Sequence, residues 1–225
     1  MKFLPNLSRS EQKYGILTFV FCLLLLPGAL MLALPGFSSA RLNFTTYFIT
    51  AGALVWVLRR FLLCNLRSAL ERPFQCLYYA AIGYLGQMGL TEVVSLLVYR
   101  LAPDFVNLNN QTVTAMLDSE FALMAFTTIV LAPIAEECFF RGVLLRGFYD
   151  RSPVLAWVLS VGLFAALHVT GYIGSYSPLS LLLSFIQYLP AGIALCLSYQ
   201  WGGTILSPIL AHAVVNLMAV LSVTR

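Results

Sequence analysis

The chain is poor in charge. Only 10% of its 225 residues are Asp, Glu, Lys or Arg, against about a quarter in soluble domains. The hydrophobic residues, 60% of the total, gather in uncharged runs that approach the ~20 residues needed to cross a bilayer as helix. A water-soluble globular domain is thereby excluded. The short period-two alternation of a transmembrane barrel is missing too, which leaves helices as the spanning elements. Paired cysteine spacing is also absent. Cys22, Cys64, Cys76, Cys138 and Cys196 sit in or beside apolar segments, where cysteine behaves as a small hydrophobe, so no disulfide framework is read from them. There is no internal repeat, no low-complexity tract and no connecting stretch long enough for a soluble domain. The net charge of +4 reports membrane topology rather than a nucleic-acid partner.

What remains is an all-α, polytopic membrane helical bundle, read as one integral membrane domain over residues 1–225. Seven candidate spans fall near residues 15–34, 42–63, 75–99, 115–148, 153–174, 179–199 and 203–222. The first follows a basic start, Lys2, Arg9 and Lys13. Ser38-Ser39-Ala40 resembles a signal-peptidase site, but the apolar stretch before it outruns the usual 7–15 residues of a signal peptide, so an uncleaved span is expected. Arg59, Arg60, Arg67 and Arg72 form one basic cluster, and Arg141, Arg146 and Arg151 another. The loop from Pro103 to Glu120 carries Asp104, Asp118 and Glu120 with no basic residue. The positive-inside rule then puts the N-terminus and both clusters in the cytoplasm and the acidic loop outside. The compact length points to a prokaryotic plasma membrane. Gly83, Gly86 and Gly89 are expected to let helices approach closely. Pro27, Pro133, Pro190 and Pro208 are candidate kinks.

One stretch stands out: Ala135-Glu136-Glu137-Cys138-Phe139-Phe140-Arg141, at the end of the apolar run from Phe121 to Ile134. A charge at the centre of a membrane helix costs roughly 2.5–3.5 kcal/mol on insertion scales, so such residues are functional suspects. Neighbours on a helix differ by about 100°, and Glu136 and Glu137 cannot face one spot. Glu137 and Arg141 share a face at i, i+4. Glu137 is therefore read as neutralised by Arg141, with Glu136 left to face a cavity; a purely structural salt-bridge cluster is the competing reading. Cys138, roughly 200° round the helix from Glu136, should point away. Both histidines of the chain lie in apolar spans, His168 in Phe164-Ala165-Ala166-Leu167-His168 and His212 in His212-Ala213-Val214-Val215-Asn216. His212 and Asn216 project from one stripe, where Asn also serves as glue between helices. For Glu136 to reach the histidines, its helix must run on to about Phe148, although Gly142 and Gly147 weigh against it.

A carboxylate beside an imidazole can activate water, and a second His with an Asn can donate hydrogen bonds to a tetrahedral oxyanion. The set suits water attack on an amide within the bilayer, reached from the inner face. The same residues offer a His₂Glu zinc site, although His-Glu-x-x-His is absent. They also offer a Cys138 thiol nucleophile, a proton relay in a transporter and a non-catalytic binding or immunity protein. Taken in order, Glu136-Glu137-x-x-x-Arg141, Phe164-x-x-x-His168 and His212-x-x-x-Asn216 resemble the signature motifs of the CPBP intramembrane proteases, the CAAX-prenyl-protease and bacteriocin-processing family. The likeness covers about residues 120–222. It implies a metal-independent, glutamate-dependent endopeptidase with no cofactor. It also implies that Glu136 and His168 activate water, that His212 and Asn216 hold the oxyanion, and that Glu137 and Arg141 order the site. The implied partners are the lipid bilayer and a peptide or protein substrate, prenylated or otherwise membrane-anchored substrates among them.

Overall fold

The computed structural model describes residues 5–223; Lys2 of the basic start lies outside them. Among the described residues there is no strand, and nine helices follow in order: α1 (Arg9–Ala33), α2 (Ser39–Val57), α3 (Arg59–Glu71), α4 (Pro73–Leu101), α5 (Leu108–Ser119), α6 (Phe121–Tyr149), α7 (Pro153–Thr170), α8 (Pro178–Gly202) and α9 (Leu206–Val223). Six of them are long and apolar enough to cross a membrane, and α2 and α3 pass the same test only as a pair, bent by 82° where they join. Their outward faces carry large apolar side chains such as Leu32, Trp56 and Leu97, the coat a lipid-facing bundle requires.

Local chemistry sets the helix ends. Ser8 opens α1 with a reciprocal capping box to Glu11, satisfying two otherwise orphaned amides. Ser38, Ser152 and Ser177 cap α2, α7 and α8, and Pro73, Pro153 and Pro178 occupy first helical positions, where a missing N–H costs nothing. Gly203, at φ 70°, ends α8 in the left-handed conformation that only glycine adopts without strain.

Two span boundaries differ from expectation. The apolar run 42–63 is not one straight helix: it breaks at Leu58, just before Arg59-Arg60. Four arginines cannot be carried into lipid, so α3 turns aside, burying Phe61, Asn65 and Ala69 and exposing its arginines. The Glu11 carboxylate accepts the Phe61 amide of its first turn at 3.0 Å. The fourth span begins at Phe121 rather than 115, because the chain breaks at Glu120 and the preceding residues form the separate helix α5. Glu120 pins that break, accepting hydrogen bonds from Ser38 Oγ at 2.5 Å and Arg41 Nε at 3.2 Å. The Ser38 hydroxyl and, next, the Arg41 guanidinium hold its carboxyl below the usual carboxylate range.

Helix α6 is continuous to Tyr149, as the depth argument required. It is the most enclosed span, with every residue from Ala135 to Arg146 buried, the signature of a central helix. Phe19 of α1 stacks on Phe139, their rings 3.6 Å apart, while α7, α8 and α9 close the other sides. Close approach needs glycine at several places, Gly83 and Gly192 among them. A Cβ on Gly83 of α4 would lie 2.7 Å from Ser198 Cβ, and one on Gly192 of α8 would lie 2.9 Å from Val161 Cγ1 and 3.2 Å from its Cα. Gly86 and Gly89 meet no such crowding. Pro208 does not kink its span; it sits in the first turn of α9.

Side-chain contacts define two opposite ends of the bundle. At one, Arg146 near the end of α6 donates to the Pro5 carbonyl beside the start of α1, at 3.1 Å, and Gln75 at the start of α4 donates to the Trp201 carbonyl at the end of α8, at 3.1 Å. Helix α3 lies here, its Asn65 Oδ1 accepting the Ile205 amide at 2.8 Å. At the other end, the starts of α2 and α6 meet at Glu120, and α5 packs over the bundle.

Candidate active site

A polar hollow of about 480 Å³ enters the bundle from the α5 end, with Glu136, His168 and His212 at its floor and Asn216 on its wall. Five of the six side chains singled out from sequence thus fall in two linked layers at the floor of this hollow, and the sixth, Asn216, stands on its wall.

The deeper layer is Glu137, Arg141 and His212. Arg141 Nη1 donates to Glu137 Oε1 at 3.0 Å, both side chains being 0% exposed. The other guanidinium arm donates to the Gly192 carbonyl at 3.1 Å, and the charge lies 4.5 Å from the Phe164 ring centre. This planar cation is thus held by a carboxylate, a carbonyl and an aromatic face, which a lysine could not reproduce. Glu137 Oε1 accepts a second bond, from His212 Nδ1 at 2.9 Å. Sequence spacing anticipated the Glu137–Arg141 pair; His212 as its third member was not anticipated. A carboxylate accepts only, so His212 Nδ1 carries a proton and Nε2 is the nitrogen left for the hollow.

The upper layer is Glu136 with His168. Glu136 is 3% exposed. Its Oε1 accepts the Tyr47 hydroxyl at 2.9 Å, and its Oε2 has no hydrogen-bond partner among the described residues. That oxygen stands 3.9 Å from His168 Nε2, too far for a direct bond. His168 Nδ1 donates to the Phe164 carbonyl at 2.8 Å, which fixes the tautomer and leaves Nε2 with a lone pair when the ring is neutral. The ring stacks on Tyr188 at 4.0 Å, and the Tyr188 hydroxyl is held by Asn109 and Asn110 of α5, each at 3.0 Å. Cys138 is buried in the apolar core and lines no part of the hollow.

Asn216 has an immediate backbone reason for its place. The α6 backbone widens to i→i−5 bonding over Thr127–Leu131, and the Ala132 amide donates to the Thr127 carbonyl. The next such bond would run from residue 133 to the Thr128 carbonyl. Residue 133 is proline and has no N–H. Asn216 Nδ2 donates to that carbonyl instead, at 2.7 Å. A second widened turn runs over Cys138–Arg146. Glu136 and Glu137 thus sit on one regular stretch between two π-type turns, a distortion frequent at functional sites. Replacing Asn216 by Ala should strip the Thr128 carbonyl of its donor and cost about 1–3 kcal/mol. Pro133→Ala restores a backbone N–H, so Asn216→Ala should cost less in that background. Thermal unfolding of the four proteins in detergent measures the coupling.

Sequence reasoning missed three participants. Tyr47 lies in the N-terminal half, outside the resemblance, and a tyrosine in an apolar run carries no distinguishing signal. Tyr188 was equally silent. The Thr128 carbonyl is backbone and becomes visible only through Pro133. The expected placement of N-terminus and cavity mouth on one side of the membrane does not fit the geometry. N-terminus and mouth were both assigned to the cytoplasmic side, yet the hollow opens at the end of the bundle opposite the start of α1. Glu136 is about 22 Å from Phe121 and about 20 Å from Tyr149 at 1.5 Å per residue, so depth by itself does not choose a side.

Residues 118–218 match the family described as type II CAAX prenyl endopeptidase Rce1-like. No curated protein and no solved structure shows a significant match.

Proposed function

We propose that this chain, whose residues 118–218 match the Rce1-like type II CAAX prenyl endopeptidase family, hydrolyses a peptide bond within the membrane using water activated between Glu136 and His168. The observation that carries the reading is the unpartnered Glu136 Oε2, 3.9 Å from His168 Nε2 at the floor of a polar hollow. A water can lie within hydrogen-bond reach of both atoms, donating one hydrogen to each. Its lone pair then faces the hollow, where a substrate carbonyl would enter. Attack forms the C–O bond, moves the carbonyl electrons to oxygen and passes the water proton to the Glu136–His168 pair. That proton goes to the departing nitrogen as the C–N bond breaks. Tyr47 orients Glu136 by its hydrogen bond.

The developing oxyanion needs donors. Asn216 spends one N–H on Thr128 and offers the other. His212 donates from Nε2 only as the imidazolium, for which the Glu137 carboxylate at Nδ1 provides a counter-charge shared with Arg141. Glu137 and Arg141 act at one remove, as positioning residues. In this mechanism the water is activated by the glutamate without a metal ion, and the substrate is a lipid-anchored peptide.

Among the described residues no three His, Cys, Asp or Glu side chains converge at ligand spacing, so the His₂Glu zinc reading lacks positive geometric support. The experiment is cleavage of a lipid-anchored peptide library by the purified protein in liposomes, with products read by mass spectrometry, with and without a strong chelator. Internal cleavage at an unchanged rate in chelator is expected. Loss of activity restored by zinc would reverse the mechanism. Peptide flux without cleavage would favour a transporter.

A further inference from the structure

The bundle has two chemically different ends, and the hollow opens at only one of them. At the end built from the start of α1, all of α3 and the α6–α7 turn, seven cationic side chains are exposed: Arg9, Lys13, Arg59, Arg60, Arg67, Arg72 and Arg151. At the α5 end the exposed cations among the described residues are Arg41, which is engaged with Glu120, and Arg100; Asp104 and Asp118 are exposed beside them. Arg225, outside the described residues, follows α9 in the sequence. Short loops rich in Lys and Arg remain in the cytoplasm. The cationic end is therefore cytoplasmic and the α5 end lies across the membrane.

The hollow belongs to the α5 end on two grounds. Asn43 and Tyr47 come from the first half of α2, and Asn216 to Val223 from the last half of α9, the halves nearest that end. Asn107, Asn109 and Asn110 at the start of α5 form part of its wall. Among the described residues no Lys or Arg lines it. Its wall offers amides and hydroxyls, which suit an uncharged peptide backbone and give a free C-terminal carboxylate no cation to pair with.

We propose that the hollow opens on the extracytoplasmic side, so that its substrates are peptide segments presented at the outer membrane surface after translocation, cleaved at an internal bond. The substrate part rests on the peptidase reading; the orientation does not. The test is thiol labelling with a membrane-impermeant sulfonated maleimide. The four other native cysteines are buried and Cys64 is exposed, so the background is Cys64→Ser. Ser10→Cys reports the cationic end and Gln111→Cys the α5 end; both positions are exposed and neither change alters charge. Asp104→Cys serves as a second α5-end probe should Gln111→Cys express poorly. Intact cells should label position 111 and spare position 10, and inverted membrane vesicles should do the reverse. Labelling of position 10 in intact cells with protection of 111, or equal labelling of both in both preparations, overturns the proposal. No readout involves cleavage, so a failed peptidase assay leaves this result standing.

Discussion

Glu136→Gln is expected to lower the cleavage rate by about two to four orders of magnitude, the usual contribution of a positioned general base, without unfolding the protein. Gln keeps the shape and can still accept the Tyr47 hydroxyl through its carbonyl oxygen. It cannot take a proton from water, and its amide presents a donor where the water must donate. The loss should therefore fall on the rate constant more than on substrate affinity. Among the described residues Glu136 Oε2 forms no hydrogen bond, so the change removes no such contact between helices, and the unfolding temperature should move little. Assay of the variant in liposomes beside a melting curve separates the two effects. Full activity in the variant would remove Glu136 from the mechanism and restore the binding or immunity reading.

The second large effect is structural. Arg141→Met should destabilise the protein by about 3–5 kcal/mol, because removing one member of a buried ion pair leaves the other charge uncompensated. Here Glu137 would keep only His212 as a partner, in a site that is 0% exposed, and the Gly192 carbonyl would lose its guanidinium donor. The double change Glu137→Gln with Arg141→Met removes both charges of the pair together, so it should unfold at a higher temperature than Arg141→Met alone. It should still cleave poorly, since the His212 ring would no longer be held by a carboxylate. Unfolding in detergent can be followed with a thiol-reactive dye, because Cys138 and Cys196 are buried in the same core. A single variant as stable as the parent would show that the cluster is dispensable for folding.

The parts of the site legible in the sequence were those with a helical spacing or a polarity contrast. Glu137 and Arg141 declared themselves by i, i+4, and His168, His212 and Asn216 by being polar in apolar runs. The parts that stayed hidden depend on tertiary neighbours. Nothing about Tyr47 distinguishes it from the other tyrosines until α2 is packed on α6. That Asn216 answers a carbonyl orphaned by Pro133 could be read only once the α6 backbone was seen to widen before the proline. In the fold, the all-helical bundle and the long α6 followed from hydropathy and depth. The break at Leu58 carries no Gly or Pro, and its signal was the Arg59-Arg60 doublet that lipid cannot accommodate. Helix α5 has no distinguishing signal in the sequence, because polar asparagines between two apolar runs look the same whether they face solvent or wall a hollow.

The central claim is that Glu136 and His168 act on one and the same water, and a double-mutant cycle measures this most directly. Cleavage rates of the parent, Glu136→Gln, His168→Ala and the double variant would be compared in liposomes on one peptide. If both groups serve a single activated water, the double variant should be no slower than the slower single variant, since removing either disables the unit. Losses that multiply in the double variant, or a His168→Ala protein that cleaves at the parent rate, would contradict the account.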